Sequence, residues 1–227
     1  EWEMPVILAL QLGAQLLRDD EQRGNFRSSA FRKAFEFYLD FFRRGFAPRT
    51  GVTQIANLYQ DFAGGYFCFY VTGPWNIGEF RRRLPPGMDG RWATAPMPDP
   101  GDGYPGASIV GGASLAIFRG SARKEAAWKM IEYLSEPEQQ VQLYRLTGDL
   151  PARVSAWQDP ALRDDPAARS FRVQLQQVRS TPRIPEWEQI AQKIAEHSEA
   201  AIRGATDSEQ ALAALDREVD QLLTKRR

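Results

Sequence analysis

Tyr66-Phe67-Cys68-Phe69-Tyr70-Val71-Thr72 is an unbroken run of aromatic and β-branched residues, and no other segment limits the possible folds as tightly. Gly64-Gly65 precedes it and Gly73-Pro74 follows it, so turn signals close both ends. A strand with one wet face alternates apolar and polar residues. This run does not alternate, which predicts a strand buried on both faces. Such strands lie in sheets covered by helices, so the expected fold class is α/β. The run is also far shorter than the ~20 apolar residues that a membrane-spanning helix needs.

Helical patterns surround it, and the whole reads as more helix than strand. Val6–Leu17 is apolar at helical spacing, ending near Arg18-Asp19-Asp20. Ser28 or Ser29 can cap a helix over Ala30–Arg44, whose Phe31, Ala34, Phe35, Tyr38, Leu39, Phe41 and Phe42 predict burial by neighbours. Short helices are expected over Ile55–Ala63 and Ile77–Leu84, the second basic at Arg81-Arg82-Arg83. Arg91–Met97 and Ser108–Phe118 read as further strands, with a Pro- and Gly-rich loop or crossover between them. An amphipathic helix is predicted over Arg123–Leu134. A capping box at Ser135-Glu136-Pro137-Glu138 then starts a helix to about Leu146. Ala167–Arg179, Glu186–Ile202 and Ala211–Leu223 complete the helices, the last behind a second box at Thr206-Asp207-Ser208-Glu209.

Charge and reactive residues narrow the chemistry. The 227 residues hold 29 Lys and Arg against 29 Asp and Glu, which leaves no basic footprint for nucleic acid. One Cys and one His exclude an internal disulfide, a Cys-based zinc site and most triad chemistry. Cys68 lies in the densest apolar run and reads as a buried, inert thiol. His197, between Glu196 and Ser198, reads as a solvated surface residue. Asp164-Asp165 reads as a loop and helix cap. No glycine loop opens a helix to cradle phosphate, no metal-ligand set is present, and no cofactor is expected. The chain starts at Glu1 without a charged and apolar leader, which suggests a piece cut from a longer precursor.

Aromatic residues stand at breaks between elements. Trp75 follows Gly73-Pro74, Trp187 follows Pro182 and Pro185, and Trp2 precedes Pro5. Ligands of open α/β sheets bind beyond the carboxyl ends of strands, where a Trp can line a cleft and stack on the C–H face of a sugar ring. The structural reading, that each Trp fills core or covers a helix end, stands beside this one. It is favoured for Trp128, which sits in an amphipathic helix.

These residues carry a resemblance. The series runs from Phe62-Ala63-Gly64-Gly65 through the apolar strand to Gly73-Pro74-Trp75, and on to Ala93-Thr94-Ala95-Pro96 and Val110-Gly111-Gly112-Ala113. Ser121–Trp128, the Ser135–Glu138 cap, Thr147-Gly148-Asp149-Leu150-Pro151-Ala152-Arg153 and Pro182–Trp187 complete it. In order and spacing over Phe62–Leu223 it resembles the extracellular solute-binding proteins of carbohydrate ABC importers, the family of maltose-binding protein. The sequence departs at Tyr66-Phe67-Cys68-Phe69, where the family commonly has Lys-Ala-Ala-Met.

The resemblance implies a helix-rich, type II periplasmic-binding-protein-like fold: two α/β lobes joined by hinge crossovers, with the chain a carboxy-terminal portion lacking most of the first lobe. Residues 2–97 and 150–223 would belong to the second lobe, and 98–149 would be an excursion into the first. The implied function is binding of a sugar or oligosaccharide between the lobes and delivery to a membrane ABC permease, without catalysis. The alternatives are a polyol or glycerol-phosphate-type ligand, or a carbohydrate-active hydrolase. The implied ligand contacts are Trp75, Trp2 and Trp187 as aromatic platforms, Gly111 and Gly112 through their backbone, and Arg153 as a hydroxyl donor. A monomer is implied, in the periplasm or outside the cell, with or without a lipid anchor, and with no nucleic-acid partner.

Overall fold

Side-chain caps and prolines set where the helices begin. The computed structural model describes residues 1–49, 57–101 and 106–225. Within them the order is α1 (Glu3–Gln11), β1 (Leu17–Arg18), β2 (Arg23–Gly24), α2 (Ser29–Arg43), α3 (Leu58–Ala63), α4 (Trp75–Arg83), β3 (Ser108–Ile109) and α5 (Lys124–Leu134). There follow α6 (Pro137–Thr147), α7 (Pro160–Arg163), α8 (Pro166–Gln174), β4 (Val178–Arg179), α9 (Trp187–Ile202) and α10 (Ser208–Thr224). Ser28 caps α2 by accepting from the Phe31 N–H, and Asp165 caps α8 by accepting from the Ala167 N–H.

Neither expected capping box forms. Ser135 Oγ donates back to the Ile131 carbonyl at 2.6 Å and so closes α5, while α6 starts behind Glu136 with Pro137 in its first turn. Asp207, not Thr206, caps α10, accepting from the Gln210 N–H at 2.7 Å. The first correction follows from competition, since a hydroxyl beside a preceding helix end finds that helix's carbonyl first; Thr206 Oγ1 instead turns to Gln210 Oε1 at 3.2 Å.

Contacts divide the chain into two compact units. Unit 1 comprises Glu1–Gln54, Met97–Val110 and Gln177–Arg227; unit 2 comprises Ile55–Pro96 and Gly111–Gln176. Unit 2 forms because 57–96 packs on 111–176. Within unit 2, Thr94 Oγ1 donates to the Ala167 carbonyl and Ser170 Oγ donates to the Thr94 carbonyl.

Unit 1 is a helical core. Phe31, Phe35 and Leu39 of α2 pack with Ile190 and Ile194 of α9 and with Leu212, Leu215 and Val219 of α10. The three- and four-residue spacings put each set on one helix face. β1 and β2 pair antiparallel, Leu17 opposite Gly24, and α10 holds the hairpin. The Gly24 N–H donates to Asp220 Oδ1 at 2.8 Å and the Phe26 N–H to Asp216 Oδ1 at 2.9 Å. The sequence placed a helix over Val6–Leu17; it ends at Gln11 instead, because Leu17 is taken up by this hairpin. β3 and β4 pair in parallel, and Gln11 Nε2 donates to the Pro98 and Ala107 carbonyls beside them.

Unit 2 has a smaller core of Val141, Tyr144, Ala156, Trp157, Leu162 and Ala168. Its α4 and α6 meet at two glycines. A Cβ on Gly78 would collide with the Thr147 carbonyl, and Gly148, which closes α6 at φ +86°, would collide with the Gly78 backbone. Asp165 ties three elements together. It accepts from the Ala167 N–H, from Arg81 Nη2 at 2.7 Å and from the Tyr144 hydroxyl. Burial opposes its ionisation, but these three donors outweigh burial and hold its carboxyl below the usual range. Tyr144 is pushed up to about 12, by burial first and then by the Asp165 charge.

The strand expectations fail in this unit. Tyr66–Thr72 forms no strand, and Phe69 in its middle is 91% exposed. Arg91–Met97 forms none either, and of Ser108–Phe118 only Ser108–Ile109 is paired. The sheets of the described residues are two two-stranded pairs, both in unit 1, so no neighbour offers these runs a ladder. Two further helices are shorter than predicted: α8 stops at Gln174, short of Arg179, and α3 starts at Leu58. Ile55 and Ala56 of the latter expectation, and 102–105 of the Pro- and Gly-rich loop, lie outside the described residues.

Two outcomes check this packing. Leu215→Ala should lower the unfolding free energy by about 2–5 kcal/mol in urea, whereas exposed Leu115→Ala should change it by less than about 0.5 kcal/mol. The lowered Asp165 contributes stability above the ordinary carboxylate value that is lost as pH falls through its folded value. The stability gap between the wild-type chain and Asp165→Asn should therefore shrink on acidification.

Candidate functional site

Trp75 is the first residue of α4, directly behind Pro74. Its six-membered ring lies across Gly73, where any Cβ would occupy the ring's own position. Glycine at 73 is thus a packing requirement. The backbone here is held by side chains: Asn76 Nδ2 donates to Thr72 Oγ1 at 2.5 Å, and Tyr59 OH donates to Asn76 Oδ1 at 3.3 Å. Asn76 itself is buried, while Trp75 is 56% exposed. An indole backed by glycine, on a fixed helix start, leaves aromatic area free for stacking on a ligand. Glu79, one turn along α4, is engaged by Arg82 and Arg83, and Arg81 by Asp165. The three arginines are therefore paired, and Arg83 also lies over the Tyr59 ring at 5.2 Å.

Trp2 and Trp187 come together in unit 1. Their ring centroids are 5.4 Å apart with an interplanar angle of 84°, an edge-to-face contact. Trp2 stands before α1 and Trp187 opens α9, so the two helix starts meet through their indoles. Trp187 is 7% exposed and belongs to the core, which leaves half-buried Trp2 as the reachable member of the pair. Tyr38 of α2 is pushed up to about 12, by burial first and then by the Glu1 and Glu3 carboxylates. Its phenol stays protonated at neutral pH.

Gly111 and Gly112 are exposed in unit 2, and a Cβ on either would meet open space. Arg153 Nε donates to the Ser135 carbonyl at 2.8 Å at the end of α5, rather than to Asp149. Of the six candidates, the structure brings only Trp2 and Trp187 into contact. Sequence reasoning passed over Tyr59 and Asn76, which position the Trp75 turn. Asn76 is adjacent to the Gly-Pro-Trp element, but no local signal connects it to Tyr59.

Three residue readings are corrected. Cys68 is exposed, because the run that holds it is not a buried strand. The His197 side chain is only 16% exposed, with Nε2 at 3.3 Å from Glu218 Oε1, since α10 packs over that turn of α9. Trp128, read as core, is 54% exposed, and α5 buries none of its residues.

The family model for bacterial extracellular solute-binding proteins matches residues 5–170. The chain belongs to that family. Among solved structures, the sugar-binding protein MalE of Xanthomonas citri is 45% identical and superposes with a TM-score of 0.91, covering all of this chain and 57% of its own. A galactooligosaccharide-binding protein of Bacillus subtilis is 26% identical over 78% of this chain and 40% of that relative. A probable amino-acid ABC transporter periplasmic-binding protein of Sinorhizobium fredii is 33% identical over 88% of this chain and 45% of that relative. The chain thus spans about half the length of the relatives that it matches. Its fold is that of the type II periplasmic binding proteins.

Solution optics test the tryptophan environments. Trp75→Phe should remove acrylamide-quenchable, red-shifted emission and move the mean to the blue. Trp187→Phe should move it to the red. Gly73→Ala should release the Trp75 ring and raise its quenching. The Cys68 thiol should react with a maleimide in the native chain at the rate of a free surface thiol.

Proposed function

We propose that this chain is part of a binding protein that takes a sugar or oligosaccharide between two lobes and delivers it to a membrane ABC permease without catalysis. The observation that carries the reading is the Trp75 platform: a half-exposed indole laid on Gly73, on a turn fixed by Asn76, Thr72 and Tyr59. A flat apolar face with hydroxyl and amide groups nearby suits a pyranose ring, which is apolar on its C–H faces and polar at its edge. The names of the Xanthomonas and Bacillus relatives support sugar as the ligand class.

In this reading Trp75 stacks on the sugar ring, and Trp2, held in place by Trp187, is a further aromatic contact. Gly111 and Gly112 offer backbone groups, and the guanidinium nitrogens of Arg153 not engaged with Ser135 donate to hydroxyls. Residues 2–97 and 150–223 serve the second lobe and 98–149 enters the first. The protein works as a monomer outside the cytoplasmic membrane, free or lipid-anchored. A neutral ligand also agrees with the pairing of Arg81, Arg82 and Arg83, which leaves no converging cations for a phosphate.

Titration of the protein that carries this chain with maltodextrins, galactooligosaccharides, amino acids and glycerol phosphate tests the reading through tryptophan fluorescence and calorimetry. A sugar should bind, and Trp75→Ala should weaken it by about tenfold or more while the fold is kept. Unchanged sugar affinity in a folded Trp75→Ala variant removes Trp75 from the site. A response to an amino acid or glycerol phosphate with none to any sugar overturns the ligand class.

A further inference from the structure

The turn that carries Trp75 is held by a relay that begins about two helical turns further along α4. Arg83, the last residue of that helix, has Nε at 2.8 Å from Glu79 Oε2 and its Cζ at 5.2 Å from the centroid of the Tyr59 ring. The same ring meets Phe80 edge-to-face, with centroids 5.6 Å apart and 80° between the planes. Tyr59 belongs to α3, so α4 grips a neighbouring element's ring with a cation and an aromatic together. Beyond the ring, the Tyr59 hydroxyl donates to Asn76 Oδ1, and Asn76 Nδ2 donates to Thr72 Oγ1. Tyr59 is raised above the ordinary phenol value, by burial first and then by the Glu79 charge, against an opposing pull from Arg83. Its hydroxyl therefore keeps the proton that it donates.

We propose that Arg83 is a positioning residue for the Trp75 platform: pinned by Glu79, it holds the Tyr59 ring where the hydroxyl fixes Asn76, and so sets the aim of the indole. The proposal rests on the reading that Trp75 stacks on a sugar. Asn76 is buried, so its amide oxygen loses its donor if the Tyr59 ring swings away, and an unsatisfied buried acceptor is costly. The cation distinguishes this contact from space filling. A guanidinium is drawn to the negative face of the ring and orients it, whereas a neutral side chain of similar length gives no such pull. The two preceding arginines face elsewhere: Arg81 is engaged by Asp165, and Arg82 Nη1 donates to the Leu146 carbonyl at 3.2 Å. An indole already fixed in plane binds without an ordering cost, which is how a residue remote from the ligand acts on affinity.

A double-mutant cycle on Arg83→Gln and Tyr59→Phe tests the proposal. Acrylamide quenching of Trp75 is read in this chain, as the difference between each variant with and without Trp75→Phe. Sugar affinity is read by calorimetry in the protein that carries the chain, with maltodextrins and galactooligosaccharides as ligands. Tyr59→Phe keeps the ring and removes the hydroxyl, and should raise Trp75 quenching and weaken the sugar by about fivefold. Arg83→Gln should act in the same direction by about threefold, and Arg83→Lys, which keeps the cation, should recover most of the loss. Because Arg83 acts through the hydroxyl, the double variant should be no weaker than Tyr59→Phe. Effects that multiply in the double variant overturn the proposal, as does unchanged Trp75 quenching in Arg83→Gln or an equal loss in the Lys and Gln variants. A fold loosened throughout would also raise the quenching of buried Trp157, read through Trp157→Phe, and that result overturns it too. If no sugar binds the wild-type protein, the sugar reading ends, while the quenching cycle still decides the role of Arg83.

Discussion

Unit 1 depends on one contact, the meeting of α2, α9 and α10 along Phe35, Ile190, Ile194, Leu212 and Leu215. Each side chain there is almost fully withdrawn from water, and burial of this kind contributes about 1.5–3 kcal/mol per large aliphatic or aromatic residue. The consequences spread outward through α10. Its next polar positions, Asp216 and Asp220, reach the β2 hairpin and accept its backbone N–H groups. Burial raises Asp216 while the Phe26 and Arg27 N–H groups pull it down, and the net is upward, so its charge is tolerated rather than favoured. α9 meanwhile fixes Trp187, and Trp187 in turn fixes Trp2. The aromatic pair is thus placed by the packing of the helix core.

How much of this was legible in the sequence depends on the range of each interaction. Helices were readable because their caps and stripes are local: Ser28 and Asp165 cap where expected, and Gly148 ends α6. Strands were not, because a strand exists only where another segment accepts its hydrogen bonds. Tyr66–Thr72 has every residue type of a buried strand and no partner among the described residues, so its chemistry inverts. Cys68, reasoned inert from its apolar neighbours, is exposed by the same failure. Trp128 was read as core from amphipathic spacing, and the spacing is real; what the pattern cannot encode is which element, if any, packs on that face.

The candidate site divides in the same way. Gly73-Pro74-Trp75 was visible as a motif, and its physical cause is local: the ring needs the space that a Cβ would fill. The contact between Trp2 and Trp187 joins residues far apart in sequence, and only the packing of α1 and α9 into one core reveals it. Arg153 is a second such case. Its guanidinium reaches the carbonyl at the end of α5, eighteen positions back in sequence, a contact that no local pattern encodes.

The uncovered run and the Trp75 platform are linked by covalent continuity. Thr72 closes the 66–72 run, and its Oγ1 is the acceptor that fixes Asn76, whose neighbour is Trp75. Through that single hydrogen bond the end of the run restrains the start of α4. Tyr70 also stacks on Phe80 of α4, 6.3 Å between centroids and 10° from parallel, giving a second path from the run to the helix. The orientation of the Trp75 indole is therefore set in part by the run that precedes it.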